Sequence, residues 1–211
     1  METILQLSQP KSQTDLKPII VLMHALDENA MRVVGRSLQS GHVKRLKDEE
    51  LNSTAIELFG ANFQNNFIYF PERPDHFLKI PADYKYLCLY VKNMNKPFSI
   101  DFSVLDSSNN KIRFRLSTLV NLAKLKPFFC IMPLKLDDGW NKICIDLPSI
   151  CKRAFKTSYR GLLRLQVNAN CRIRRIFVSQ QNFSDEFLHN KPEIWTDSIF
   201  ETEQANDPIK M

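Results

Sequence analysis

Eight cations and no acids occupy the stretch from Leu147 to Ser184: Lys152, Arg153, Lys156, Arg160, Arg164, Arg172, Arg174 and Arg175. Guanidinium and ammonium groups gathered without carboxylates are suited to pairing with an acidic polymer or an acidic protein face. The whole chain carries 29 basic and 23 acidic residues, for a net charge of +6. Without the eight, 21 basic residues stand against 23 acidic ones, so the surplus is local. Lys152, Arg153, Lys156, Arg160, Arg164, Arg172 and Arg174 are the candidate partner contacts. On a strand Arg172 and Arg174 share a face, whereas Arg175 changes the parity, so it either points inward against a partner or is re-aimed by a bulge.

Other reactive side chains are not spaced for chemistry. Asp137 and Asp138 are adjacent, and acid–base or calcium chemistry needs convergent oxygens; with Gly139 beside them they read as a turn. His24, His42, His76 and His189 are far apart and lack the cysteine or carboxylate spacing of a zinc site. Cys88, Cys130, Cys144, Cys151 and Cys171 are an odd number, contain no Cys-x-x-Cys pair and sit in apolar contexts, which suits packed, reduced thiols without disulfides. No phosphate-cradling glycine motif is present, and five glycines leave little backbone to build one. A non-enzymatic chain with no cofactor or metal is expected.

The elements that must position the cations read as strands. Five glycines against 11 prolines and 15 phenylalanines, with Pro, Asn and Asp clusters between short apolar runs, are the pattern of an all-β sandwich or barrel. Ile19 to Ala25 and the apolar positions Met31, Val33 and Val43 predict two or three early strands. Ala55 to Phe59 and Asn66 to Phe70 predict two more. Tyr84 to Val91 is apolar on both faces, as in a strand buried mid-sandwich, and Phe98 to Val104 alternates cleanly. Asp106 to Asn110 turns that strand into Ile112 to Leu116 as a hairpin. Phe128 to Met132 and Trp140 to Ile145 predict a second hairpin around Asp137-Asp138-Gly139, with Trp140 in the core. Pro148 then opens a short helix in which Leu147, Ile150, Cys151, Ala154 and Phe155 recur at helical spacing, leaving Lys152, Arg153 and Lys156 outward. Leu163 to Val167 and Cys171 to Val178 close the series.

At 211 residues one domain is expected, over 17–199, with a flexible extension at 1–16 and a flexible acidic tail at 200–211. Seven acids against two lysines from Asp185 onward read as a solubilising tail, with folding back over the cations as the other reading. No apolar run approaches the roughly 20 residues that span a bilayer, and the polar start lacks a secretory signal, so residence inside the cell without membrane insertion is expected.

The run Lys126-Pro127-Phe128-Phe129-Cys130-Ile131-Met132-Pro133-Leu134-Lys135-Leu136-Asp137-Asp138-Gly139-Trp140-Asn141 resembles the cilia- and flagella-associated protein 20 family, as do Ala169 to Arg175 and Gly41 to Arg45. The similarity runs from about Lys17 to Phe183. It implies an all-β fold, a β-sandwich of jelly-roll type with one short α-helix. It also implies a structural role on axonemal doublet microtubules, bracing the inner junction between A- and B-tubules, with consequences for cilium assembly and motility. Implied partners are the acidic tubulin lattice and junction proteins such as the parkin co-regulated protein, and implied locations are the cytoplasm, the cytoskeleton, the axoneme of a cilium or flagellum, and the basal body. Asp27-Glu28-Asn29 in place of a glycine-containing turn, and Val34 in place of a tryptophan, mark a divergent paralogue, with a sperm flagellum or a single type of cilium as its setting.

Two other readings use the same residues. A nuclear RNA- or DNA-associated protein would set the cations on phosphates and needs interleaved aromatics, for which Tyr159 and Phe177 are the nearby candidates. A carbohydrate-binding module would need an exposed aromatic platform, to which Trp140 or Trp195 would contribute.

Overall fold

Short apolar runs separated by turn residues pair here into two sheets packed face to face. The computed structural model describes residues 17–189 except 33; the expected extensions at 1–16 and 200–211, and positions 190–199 of the expected domain, lie outside the described residues. The strands are β1 (Ile19–His24), β2 (Gly35–Leu38), β3 (Gly41–Asp48), β4 (Ser53–Gly60), β5 (Asn66–Phe70), β6 (Ile80–Pro81), β7 (Tyr86–Asn93), β8 (Ser99–Asp106), β9 (Lys111–Ser117), β10 (Lys124–Lys126), β11 (Phe129–Pro133) and β12 (Gly139–Asp146). Helix α1 (Leu147–Phe155), strands β13 (Tyr159–Asn168) and β14 (Cys171–Ser179), and the single-turn helix α2 (Asp185–His189) follow. This is the all-β sandwich that the composition and the alternation predict.

One sheet runs β12-β7-β14-β4-β3, with β1 continuing beside β14; the other runs β10-β11-β9-β8-β13-β5-β2, with β6 beside β13. Inward residues fill the space between them, with Phe70, Phe98, Phe102 and Phe114 among the largest side chains fully removed from water. At about 25 cal/mol per Å² of apolar surface buried, these aromatics dominate the drive to pack. A smaller apolar layer lies on the outside of the six-stranded sheet, where Phe183 and Leu188 cover Ile19, Val21, Cys88 and Phe177.

The hairpin expected from Phe98 to Leu116 forms as β8 and β9. The second expected hairpin does not. β11 pairs in parallel with β9, whereas β12 pairs antiparallel with β7 in the other sheet. Pro133 ends β11 without a donor for the ladder, and Leu134 and Leu136 pack on the core as the chain crosses between sheets. The turn at Asp137-Asp138-Gly139 is real, with Gly139 at φ +74. It is tied locally, because Asp137 N–H donates to Asn141 Oδ1 at 2.8 Å. Met31 lies in a turn and Val33 outside the described residues, so the strand expected there is β2.

Candidate functional site

Helix α1 gathers three of the eight cations. Its start is set by Asp146, whose Oδ1 accepts from the Ser149 N–H at 2.8 Å, with Pro148 in the first turn. Leu147 and Cys151 are buried, and Ile150, Ala154 and Phe155 pack on the core, as the helical spacing predicts. Lys152, Arg153 and Lys156 are exposed, and among the described residues none of the three makes an ion pair. Lys156 ends the helix in the left-handed conformation, its N–H returning to Lys152 O at 3.2 Å. Arg160, at the start of β13, is also exposed, and its Nη1 donates to Asn109 Oδ1 at 2.6 Å.

The other cations lie on two opposite outer faces. Arg164 belongs to the outside of the eight-stranded sheet, where it donates to Pro74 O and lines an open cleft of about 450 Å³ with Tyr69, Ser103 and Arg113. Arg172 belongs to the outside of the six-stranded sheet. Its Nε and Nη2 each stand 2.9 Å from Glu57 Oε2, and its Nη1 stands 2.7 Å from Asp48 Oδ2. Lys92, Trp140 and the Leu51 N–H also donate to Asp48, while His42 and Lys44 meet Glu57. Trp140 is therefore on the outer face rather than in the core, with its Nε1 3.1 Å from Asp48 Oδ1.

Burial pushes the Asp48 carboxyl up, but hydrogen bonds from Arg172, Leu51, Trp140 and Lys92 outweigh it and hold the group far below the ordinary carboxylate range. Burial likewise pushes Glu57 up, and His42, Arg172 and Lys44 bring it down. Both carboxylates are charged at neutral pH, and both use Arg172 as a counterion. The strand face expected to be shared by Arg172 and Arg174 is broken by a bulge: the register against β7 shifts between Ile173 and Arg175. Arg174 is half-buried and donates to Thr54 O at 2.7 Å. Arg175 is re-aimed outward onto the Tyr90 ring, 4.1 Å from its centroid, which settles its parity in favour of the bulge.

Eight cations adjacent in sequence thus divide among a helix surface and two opposed sheet faces. Tyr159 and Phe177, the aromatics that a nucleic-acid reading would interleave with them, are buried and offer no stacking platform. Charge counting along the window passes over Asp48 and Glu57, which lie 124 and 115 residues from Arg172. It also passes over a second acid-free stretch, positions 107–136, with Lys111, Arg113, Arg115, Lys124, Lys126 and Lys135. Asp101 engages two of these, standing 2.7 Å from Arg113 and 2.9 Å from Arg115. No helix among the described residues is long and apolar enough to cross a membrane.

A family model described as the CFA20 domain matches residues 11–195. The chain is 36% identical over 167 residues to the cilia- and flagella-associated protein 20 of Paramecium tetraurelia, covering 79% of this chain and 86% of that protein. It is 38% identical over 167 residues to the protein of the same name in Chlamydomonas reinhardtii, covering 79% and 87%. Among solved structures, an exo-beta-agarase overlaps 79% of this chain and 25% of its own, with 7% identity and a TM-score of 0.43, too slight a likeness to bear on fold or function.

Proposed function

The chain belongs to the CFA20 domain family, and on that premise we propose that it is a non-enzymatic structural protein of cilia or flagella. Its relatives share a name that ties them to these organelles, and the observation that carries the reading is their 36% and 38% identity across most of the folded chain. In the finer form of the proposal, the protein braces the inner junction of doublet microtubules, between the tubulin lattice and neighbouring junction proteins. Lys152, Arg153, Lys156 and Arg160 supply the contacts to acidic tubulin. Arg164, Arg172 and Arg174 contribute less, because their guanidinium groups already hold Pro74, Asp48, Glu57 and Thr54 within the fold. Weak ion pairs repeated along a lattice add through avidity.

Salt-dependent co-sedimentation of the full chain with doublet microtubules, with RNA as competitor, tests this. Binding should fall as salt rises, survive RNA, and drop when Lys152, Arg153, Lys156 and Arg160 are all changed to Glu. Binding to RNA with no affinity for doublets would sink the proposal in favour of a nuclear nucleic-acid role. The tagged protein should decorate axonemes in a ciliated cell, and an exclusively nuclear signal would count against it.

A further inference from the structure

Six large apolar side chains stand exposed among the described residues, and four of them fall between positions 119 and 128. Leu119, Leu122, Leu125 and Phe128 are exposed by 59%, 76%, 59% and 53%. After β9 the chain leaves the eight-stranded sheet, runs as β10 along its open edge, and reverses at Pro127-Phe128. It returns as β11 between β10 and β9. All three residues of β10 are exposed, and its only strand partner among the described residues is β11. Phe128 holds φ 55, a left-handed backbone that bulky residues adopt at a cost. Phe128 also lines a polar cleft of about 380 Å³ together with residues of the Asp106–Asn110 turn and of the Lys156–Ser158 segment that follows α1.

Water-exposed leucines on an ordered open edge are the signature of a covered surface rather than of a mere chain reversal. The charge says what covers it. Positions 107–136 contain no Asp or Glu, and Lys124 and Lys126 make no ion pair among the described residues. Lysines on an edge strand repel the same edge of a second copy, so self-pairing is disfavoured and an acidic strand is favoured. We infer that the β10 edge is a docking site for an extended protein segment in which apolar side chains alternate with carboxylates. Such a segment adds a strand beside Lys124–Lys126. Because side chains alternate across a strand, its apolar residues meet the face carrying Leu125 while its carboxylates meet Lys124 and Lys126 on the other. Leu119, Leu122 and Phe128 extend the apolar contact beyond the strand. This site is separate from lattice binding through α1.

The test is selection of a random short-peptide display library against the full chain, followed by fluorescence anisotropy with the most enriched sequence as a synthetic peptide. Enriched sequences should alternate acidic and apolar residues, and binding should weaken with salt. Leu122→Ser with Leu125→Ser should weaken it about tenfold, as loss of interface anchors does, and Lys124→Glu with Lys126→Glu should do at least as much. Changing Lys152 and Arg153 to Glu should leave the peptide affinity intact while lowering doublet binding, so the two sites fail separately. Near-UV circular dichroism of each variant checks that the fold is unchanged. No acidic, apolar class among the enriched peptides, or an affinity indifferent to both double variants, would overturn the inference. So would self-association of the chain that Leu122→Ser abolishes without any effect on peptide.

Discussion

Arg172 Nη1 lies 2.7 Å from Oδ2 of Asp48, a carboxylate with no exposed surface. The two belong to strands that are not neighbours, since β4 runs between β14 and β3. The same guanidinium meets Glu57 on that intervening strand, so a single cation ties three strands across their outer face. Lys92 from β7 and Trp140 from β12 reach Asp48 from the other side. Four strands, β3 itself with β14, β7 and β12, thus meet at one buried negative charge, and Arg172 ties in β4 as a fifth through Glu57. Arg172→Ala leaves that charge uncompensated and is expected to destabilise by about 3–5 kcal/mol, the usual range for breaking a buried pair. Arg172→Lys should recover only part, because an ammonium cannot fork between two carboxylates. Urea unfolding midpoints measure both, and an Arg172→Ala chain as stable as the parent would show that the network is not structural.

Stability should begin to fall on acidification well above the carboxylate range. Burial, with Arg174 and Arg175 adding to it, lowers the His24 pKa from an ordinary 6.5 to about 4, despite an opposing effect of Asp27. The unfolded chain therefore takes up the proton first, and the contribution is complete above pH 6.5 and lost as pH drops towards 4. It amounts to about 2 kcal/mol, given roughly 1.4 kcal/mol per pKa unit and some residual hydration. Asp48 and Glu57, held low when folded, add their losses only as pH falls through and below the carboxylate range. His24→Gln should flatten the upper limb of a stability-against-pH curve and leave the acid limb; an unchanged upper limb would exclude His24 as its source.

The cap of α1 links stability to the cations. Asp146→Ala removes the acceptor for Ser149 N–H and should cost about 1 kcal/mol, as N-cap losses do. Reversing Lys152, Arg153 and Lys156 should shift stability by no more than about 0.5 kcal/mol each, because they are exposed and make no ion pair among the described residues. Thermal unfolding of the two sets separates them, and a large loss in the reversal set would mean that the helix surface is part of the folded framework.

Thiol reactivity should single out Cys144. Its sulphur lies 2.9 Å from that of Cys88 across the β12–β7 ladder, but Cys88 is buried whereas Cys144 is partly exposed. The hydrogen bond with Cys88 lowers the Cys144 pKa, and Lys142 adds to that; the same bond and burial raise Cys88. Iodoacetamide on the native chain, read by peptide mass, should label Cys144 before Cys88, Cys130, Cys151 and Cys171. Equal labelling of all five in a chain that remains folded would refute the assignment.

Local periodicity was enough to find most elements. Phe98, Ile100, Phe102 and Val104 alternate in sequence and fill the core from β8, and Leu147, Cys151 and Phe155 recur at helical spacing and pack from α1. Alternation says which face of a strand is apolar and nothing about its partner, so β11 and β12 read as a hairpin although they belong to different sheets. Trp140 was legible by parity: Ile143 and Ile145 are buried, and Trp140 alternates with them in step with Lys142 and Cys144. The cations were legible as a charge excess but not as a surface. Asp48 and Glu57 lie more than a hundred residues before Arg172, and the bulge at Arg174 depends on strand pairing that no window contains.

The central strand of the six-stranded sheet is β14, which holds β7 on one side and β4 and then β1 on the other. It is also the last strand of the described chain. During synthesis, β1, β4 and β7 therefore wait without their common neighbour until residue 179 has emerged, while the β3–β4 and β8–β9 hairpins can already close locally. The apolar inner faces of the waiting strands are chaperone substrates for that interval. A chain truncated after Asn168 should bind a hydrophobic dye that the full chain excludes, and supplying the missing strand as a separate peptide should displace it.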